Sequence, residues 1–349
     1  MQRRHFLILS AGLLGRGCVA PPKPPSTPLN KAIEFLLSQQ KKDGSWRSAH
    51  YTDMSSGYEL TPVVAKALAF SSAEGPSAKA MTFMETALQD GKVGPGLVYP
   101  VYTAALMVML LARNGSPHMP VWRDFLLTHQ LSSELGWKSD DPDYGGWGYA
   151  MTPPKAGSND PMGHSNLTST CFACGALVFS GMSPKEPALS AALQFVQRCQ
   201  DPKGGGFFAC PGQSVLNKAG DGVAYGSATS DGLRLLRRLG GSKPAIALAQ
   251  GWLDKNFSAK VHPGNFPSTR FEDRDSLYYY YLWSTAHALR MLPRSEQVKG
   301  MFQAMESQLL TLQQADGSFR NSLGATREDD PLVATPMAMA VLGLAGGAT

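Results

Sequence analysis

Long apolar runs are missing from most of this 349-residue chain. Beyond its first twenty residues no stretch approaches the roughly 18 consecutive apolar residues of a membrane-spanning helix, so the body does not read as a membrane span. Charge is sparse, at 17% of residues, with 32 Lys and Arg against 27 Asp and Glu and a formal net charge of +5. The basic residues are scattered, with no Lys/Arg stripe interleaved with aromatics, and nucleic acid is not an expected partner. Cysteine is scarce as well, with five in all. Cys171 and Cys174 lie three apart in an apolar stretch, and Cys199 and Cys210 flank a Gly-rich turn. They read as small core residues. The alternatives are a Cys199–Cys210 disulfide and a zinc site made by all four. No cofactor and no metal is expected. What is present is ample core material, 43% hydrophobic, with 36 Gly and 25 Pro, which fit a helical chain only as regular punctuation.

The first twenty residues, MQRRHFLILSAGLLGRGCVA, carry Arg3 and Arg4 and then a short apolar stretch from Phe6 to Leu14. That is the build of an export signal. The RRHFL string resembles a twin-arginine signal, and Cys18 after Gly17 resembles a lipoprotein cleavage box, which makes Cys18 the expected lipid-attachment residue. An uncleaved anchor is the alternative. Residues 21–28, rich in Pro, read as an extended tether. The expected location is therefore the periplasm or cell envelope, with membrane association through the N-terminus.

Internal repeats organise the rest. A helical stretch ending in Gln, a polar turn with Gly and an aromatic recur as FLLSQQKKDGSW (35–46), FVQRCQDPKGGGF (195–207) and LLTLQQADGSF (309–319). Looser copies are FLLTHQLSSELGW (125–137) with YGGWGY (144–149), WLDKNF to HPGNF (252–266), and the degenerate ALQDGKVGPG (87–96). After each copy comes a Thr followed seven residues later by Leu: Thr61, Thr103, Thr170, Thr229, Thr285 and Thr335. Positions seven apart share one helix face. The stretches around these Thr residues are apolar nearly all round, as buried helices are, whereas the preceding helices are amphipathic. Six pairs of an outer, half-exposed helix and an inner, buried helix are predicted. They close into an all-α ring, an α/α6 toroid, over residues 29–349.

The Gln…Asp-Gly-Ser-Trp/Phe phrases resemble the repeat of squalene–hopene and oxidosqualene cyclases, and protein prenyltransferase β subunits carry a related one. The resemblance spans residues 29 to 345 and implies the toroid. The catalytic motifs do not carry over. The cyclases' Asp-x-Asp-Asp string would precede an inner-helix Thr, and none of the six positions holds it. Glu59 stands where the middle Asp would be and is the candidate acid by that resemblance. The prenyltransferases' Asp-x-Cys is absent, and Ser169 replaces the His of their His-Thr-Cys phrase in TSTCFACGAL. DDPD (140–143) and EDRD (272–275) do not form the Asp-Asp-x-x-Asp motif of ionising terpene synthases.

If Thr and the Leu after it face the outer ring, positions −2, +2 and +5 from Thr face the lumen. The −2 set is Glu59, Val101, Thr168, Ser227, Trp283 and Val333. The +2 set is Val63, Ala105, Phe172, Asp231, His287 and Met337, and the +5 set is Lys66, Val108, Gly175, Arg234, Arg290 and Ala340. Asp231 and His287 fall in one layer of adjacent helices, a pairing that orients a general base. The candidate catalytic residues are thus Glu59, Asp231 and His287. Lys66, Arg234 and Arg290 make a cationic floor for an anionic ligand, or an internal ion-pair network. Phe172, Trp283 and Tyr281 are candidate ligand contacts. His164 and Asn166 precede inner helix three, where Asn166 is the better cap. YGGWGYA (144–150) either stacks on a flat ligand or serves as a repeat turn.

The expected function is binding, or acting on, a lipid-like or mixed-polarity small ligand in the central cavity. The alternatives are a non-catalytic, envelope-tethered scaffold for protein or polysaccharide, and a carbohydrate-active toroid enzyme.

Overall fold

Amphipathic and apolar stretches alternate along the chain, and each becomes a helix. The computed structural model describes residues 27–71, 77–158, 160, 162–212 and 215–346. The expected export signal over 1–20 with Cys18, and the expected tether as far as residue 26, lie outside the described residues. Thr27 already caps the first helix, which starts at Pro28, inside the expected tether. In chain order the hairpins are α1 (Pro28–Ser38) with α2 (Leu60–Ser71), α3 (Ala78–Glu85) with α4 (Pro100–Arg113), and α5 (Met119–Thr128) with α6 (Leu167–Phe179). Next come α7 (Pro187–Arg198) with α8 (Gly226–Leu239), and α9 (Lys243–Asn256), followed by a short α10 (Phe271–Ser276), with α11 (Tyr278–Arg290). Last is α12 (Glu296–Leu312) with α13 (Pro331–Gly346). Among the described residues the only sheet is a hairpin of β1 (Leu88–Gln89) and β2 (Lys92–Val93), which replaces the repeat turn in the degenerate copy. No helix among them is long and apolar enough to cross a membrane.

The even-numbered helices through α8, with α11 and α13, form the inner ring. Each touches the next, and α13 returns to α2. The predicted α/α toroid is therefore closed. The abundant Pro is punctuation: α1, α4, α5, α7 and α9 each carry Pro in their first two positions, where the missing N–H costs nothing.

The repeat phrase acts as a staple. Gln130 donates from Nε2 to Gly145 O (2.8 Å) in its own turn and to Ala188 O (2.7 Å) at the start of the next outer helix. Gln40 joins Gly44 O to Ser77 Oγ, and Gln200 joins Gly205 O to Ala245 O. Gln313 joins Gly317 O to Pro28 O, tying the last turn to the first helix. The turn needs glycine for two reasons. Gly145 has φ +90°, and a Cβ there would lie 2.1 Å from Ala191 O on α7. Gly44, Gly205 and Gly317 meet carbonyls of the next outer helix in the same way.

The aromatic completes the unit. The backbone N–H groups of Trp46, Trp147, Phe207 and Phe319 donate to Thr61, Thr170, Thr229 and Thr335 Oγ1 at 2.9–3.1 Å. Trp46 and Trp147 also donate from the indole to carbonyls of the outer helix, Leu36 O and Leu126 O, both at 2.7 Å. YGGWGY is thus a repeat turn, with Trp147 fully buried. In these four repeats the Thr of the motif locks the inner helix onto its turn.

Candidate functional site

The lumen is divided. Phe172 on α6 and Trp283 on α11 stack with centroids 5.4 Å apart and planes 5° from parallel. Tyr102 on α4 meets Phe172 edge-on at 4.5 Å. With Val63 and Met337 these rings form a waist: Val63, Tyr102, Phe172 and Met337 line the cavities on both sides of it. Toward the N-terminal ends of the inner helices lies an upper chamber of about 610 Å³. Toward their C-terminal ends lies a lower chamber of about 570 Å³. Both volumes are in the range of small-molecule sites.

The upper chamber is walled by Tyr99, Tyr102, Tyr149, Tyr225 and Tyr280, with Glu59, Thr168 and Ser227 as smaller polar groups. Glu59 immediately precedes α2. Its carboxylate accepts from Ser56 Oγ (2.6 Å) and from the backbone N–H of Val98 (3.1 Å). Lys218 and Arg327 stand at the rim, where Arg327 pairs with Asp53 at 3.2 Å. Burial raises the pKa of Tyr149 to about 12, so its hydroxyl stays a neutral donor.

The lower chamber has a different chemistry. Lys66, Arg234, Arg238, His287 and Arg290 share its wall with Phe70, Phe172, Phe179 and Trp283. Lys66 Nζ lies 5.9 Å and Arg234 Cζ 4.8 Å from the centre of the Trp283 ring, within cation–π range. Burial, followed by the nearby charges of Arg234 and Arg238, pulls the Lys66 pKa down to about 8. Burial, with Arg234, Lys66, Arg238 and Arg290 around it, holds His287 well below the usual histidine value. The imidazole is therefore neutral.

Between the chambers Asp231 is fully buried on α8. It accepts from Arg234 Nη1 (2.9 Å), Ser284 Oγ (2.6 Å) and the Tyr280 hydroxyl (2.7 Å). Desolvation raises its pKa, and Arg234 with these two hydroxyls opposes the rise. The expected pairing of Asp231 with His287 is not what forms. Asp231 and Arg234 are three apart on one helix, so the guanidinium reaches the carboxylate first, and a charged donor outcompetes a neutral imidazole. Among the described residues His287 Nε2 has no hydrogen-bond partner, and the ring lies edge-on to Trp283 at 4.7 Å. Asp231 is linked to the upper chamber through Tyr280.

The other expected residues sort as follows. Glu59, Phe172, Trp283, Lys66, Arg234 and Arg290 all line a chamber. Tyr281 lines neither. It points away from the lumen, donates to Ser258 O (2.9 Å) and stacks on His262, and its neighbour Tyr280 takes the inward place. In α4 the expected Val101, Ala105 and Val108 are buried in helix packing, and Tyr99, Tyr102 and Leu106 face the lumen instead. Here Thr103 Oγ1 donates to Tyr58 O at 3.4 Å rather than accepting from an aromatic residue's N–H, and in α11 Thr285 Oγ1 meets Ser230 Oγ at 2.8 Å with the expected lumenal face kept. Asn166 caps α6 by accepting from Ser169 N–H (2.9 Å), and His164 Nδ1 pairs with Asp143 at 2.7 Å. Arg238, Phe70 and Phe179 were reachable from sequence: each lies nine residues after its Thr, again opposite the packed face.

The described thiols are all buried. Burial raises Cys171 to about 12, and Cys199 is raised first by burial and then by the neighbouring Cys210. Such thiols are protonated and poor metal ligands. Among the described residues no group of three His, Cys, Asp or Glu could hold a metal ion.

No family model matches the sequence, and no curated protein matches it. Solved structures do match in shape. A ligand-free variant of the type II terpene cyclase MstE from Scytonema superposes with a TM-score of 0.61 at 16% identity, covering 92% of this chain and 96% of that one. A protein from Actinoplanes gives 0.57 at 18% identity, over 92% and 99% of the two chains. A glycoside hydrolase family 76 mannosidase from Bacteroides thetaiotaomicron gives 0.52 at 11% identity, over 90% and 97%. The chain therefore shares the α/α toroid fold with terpene cyclases and mannosidases. At these identities the likeness extends to the fold alone, and so does the resemblance to squalene cyclases.

Proposed function

We propose that the protein encloses a lipid-like molecule of mixed polarity in its lumen, with the upper chamber as the place where it acts on that molecule. The observation that carries the reading is the wall of that chamber. Five tyrosines supply flat apolar surface with hydroxyl tips, and Glu59 is the one carboxylate of that wall among the described residues. Glu59 is the proton donor or acceptor of this reading, and Tyr280, backed by Asp231, is the second group able to hold a proton at the ligand. Another MstE structure is described in complex with geranylgeranyl dihydroxybenzoate, a long apolar chain on a polar ring. That precedent in the same fold supports the class of ligand.

A carbohydrate is the second reading, favoured by the mannosidase neighbours and by tyrosine faces on which sugars stack. Canonical glycoside hydrolysis uses two carboxylates flanking the bond, and among the described residues this wall holds one, Glu59. The Arg3–Arg4 leader and Cys18 support export and attachment at the cell envelope, which acyl labelling of Cys18→Ser against the parent chain tests.

Native mass spectrometry after incubation with a polyprenyl alcohol or a mannan oligosaccharide tests the occupant. The expected result is retention of the polyprenyl alcohol, lost in Thr168→Trp, which fills the upper chamber while the melting curve stays cooperative. Retention of neither compound, or unchanged retention in Thr168→Trp, overturns the reading.

A further inference from the structure

The lower chamber concentrates positive charge without the negative charge that would balance it. Lys66 comes from α2, Arg234 and Arg238 from α8, and Arg290 from α11. No carboxylate among the described residues lines this chamber. The nearest acid, Asp231, is consumed by Arg234 Nη1, Tyr280 and Ser284. Among the described residues Lys66, Arg238 and Arg290 have no ion-pair partner. Two buried nitrogens are also left without a hydrogen bond, Arg234 Nε and His287 Nε2. Arg234 is only 7% exposed, so water does not stand in freely for the missing partner. Leaving a buried polar group unmade is costly, and unpaired buried charge more so.

Helix-end electrostatics explain part of this. Cations in the last turn are favoured by the helix dipole, which accounts for Arg238 and Arg290. Lys66 is the seventh residue of the twelve in α2, and Arg234 lies well inside α8, so the dipole does not account for them. An internal salt-bridge network does not either, since it holds a single carboxylate. The chain also makes room for the crowding: a Cβ at Gly175 would come within 3.3 Å of Arg238 Nη1 and 3.1 Å of Met109 Cε.

We propose that the lower chamber is an oxyanion site, in which Lys66, Arg234 Nε, Arg238 and His287 Nε2 converge on a phosphate or carboxylate, with Arg290 at the mouth. The same chamber presents Phe70, Phe179, Leu106 and Met337, so it takes the oxyanion on an apolar body as readily as alone. The site is separated from the upper chamber by the Phe172–Trp283 stack, and it stands whether or not the upper chamber holds a lipid.

The test is titration calorimetry of the full chain with inorganic phosphate, dodecyl phosphate and dodecanol. Binding of inorganic phosphate identifies a free oxyanion as sufficient. Binding of dodecyl phosphate but not of phosphate or dodecanol identifies the head of an amphiphile. Either result supports the site if Lys66→Met and Arg238→Met each weaken binding roughly tenfold or more, the loss expected for one charge-assisted hydrogen bond. Arg237→Met, an exposed arginine that lines neither chamber, is expected to bind as the parent does. The thermal midpoint separates this from a structural role. Removing one of several repelling cations leaves it unchanged or raises it, whereas breaking a stabilising network lowers it. Failure of both phosphates to bind, equal loss in Arg237→Met, or parent-like affinity in Lys66→Met and Arg238→Met overturns the proposal. The Thr168→Trp variant keeps phosphate binding if the two chambers are independent, so failure of the upper-chamber reading is seen separately.

Discussion

Gly145→Ala isolates what the repeat turn contributes. Its matched control is Gly181→Ala, because the two glycines have nearly the same backbone, φ +90° and φ +96°. Both substitutions place Ala in the left-handed region, a cost of about 1–2 kcal/mol. They differ in what the new methyl meets. At Gly181 nothing lies within 4 Å, whereas at Gly145 the Cβ falls 2.1 Å from Ala191 O and 2.5 Å from Ala191 C. The first turns of α7 must move away. With them goes the geometry of the Gln130 bonds to Gly145 O and Ala188 O, two contacts of about 1 kcal/mol each, with some packing besides. The expected losses are about 4 kcal/mol for Gly145→Ala and about 1.5 kcal/mol for Gly181→Ala. At roughly 2–4 °C per kcal/mol for a large domain, that is a drop of about 10 °C against about 4 °C in thermal midpoint. Circular dichroism melts and urea midpoints measure both. Equal losses would show that the glycine serves backbone conformation alone, and the staple argument would fail.

Three further outcomes follow from the same structure. Glu328 is buried, accepts from the N–H groups of Tyr279 and Tyr280, and has its pKa raised by burial from 4.5 to about 7. A carboxyl raised in the folded state stabilises below its unfolded pKa and loses that contribution as pH climbs. The parent should therefore lose up to about 3 kcal/mol relative to Glu328→Gln between pH 4.5 and 7, and a pH-independent difference in urea midpoints refutes this. Lys66, lowered to about 8, is half-protonated at that pH, and a bound oxyanion restores its proton. Calorimetry at pH 8 in buffers of different ionisation enthalpy should then register uptake of about 0.5 proton, absent in Lys66→Met. Thr170→Val strips the acceptor from the buried Trp147 N–H, at about 1–3 kcal/mol, while Thr103→Val loses only a long bond to Tyr58 O and should cost less than 1 kcal/mol. Equal effects on unfolding free energy would count against the lock.

The ring was legible because its information is periodic. Six Thr–Leu pairs mark one face of six helices, and the Gln and Gly of each turn mark the reversals. Even the lumenal positions of α2, α6, α8, α11 and α13 follow from that register. What was not legible depends on contacts between repeats. The turn of α4 that points Tyr102 inward departs from the register of the other five inner helices. The choice of Asp231 for Arg234 over His287 is a contest decided by reach. The inward place of Tyr280 rather than Tyr281, by contrast, follows from the same wheel, since Tyr280 lies five residues before Thr285, roughly opposite the packed face, and Tyr281 lies four before it, on that face. Most of all, the division into two chambers arises because aromatic rings from α4, α6 and α11 happen to meet at one height, and no single helix carries that fact.

Closure through Gln313 and Pro28 has a bearing on how such a molecule can evolve. An open array of repeats gains or loses a unit at either end and remains an array. Here four of the turns dock onto a successor through their Gln, the last of them onto the first helix, so there is no terminal unit to add to and none to spare. Copy number is consequently set by circumference, and novelty has to come through inserted loops and altered lumenal side chains rather than through lengthening.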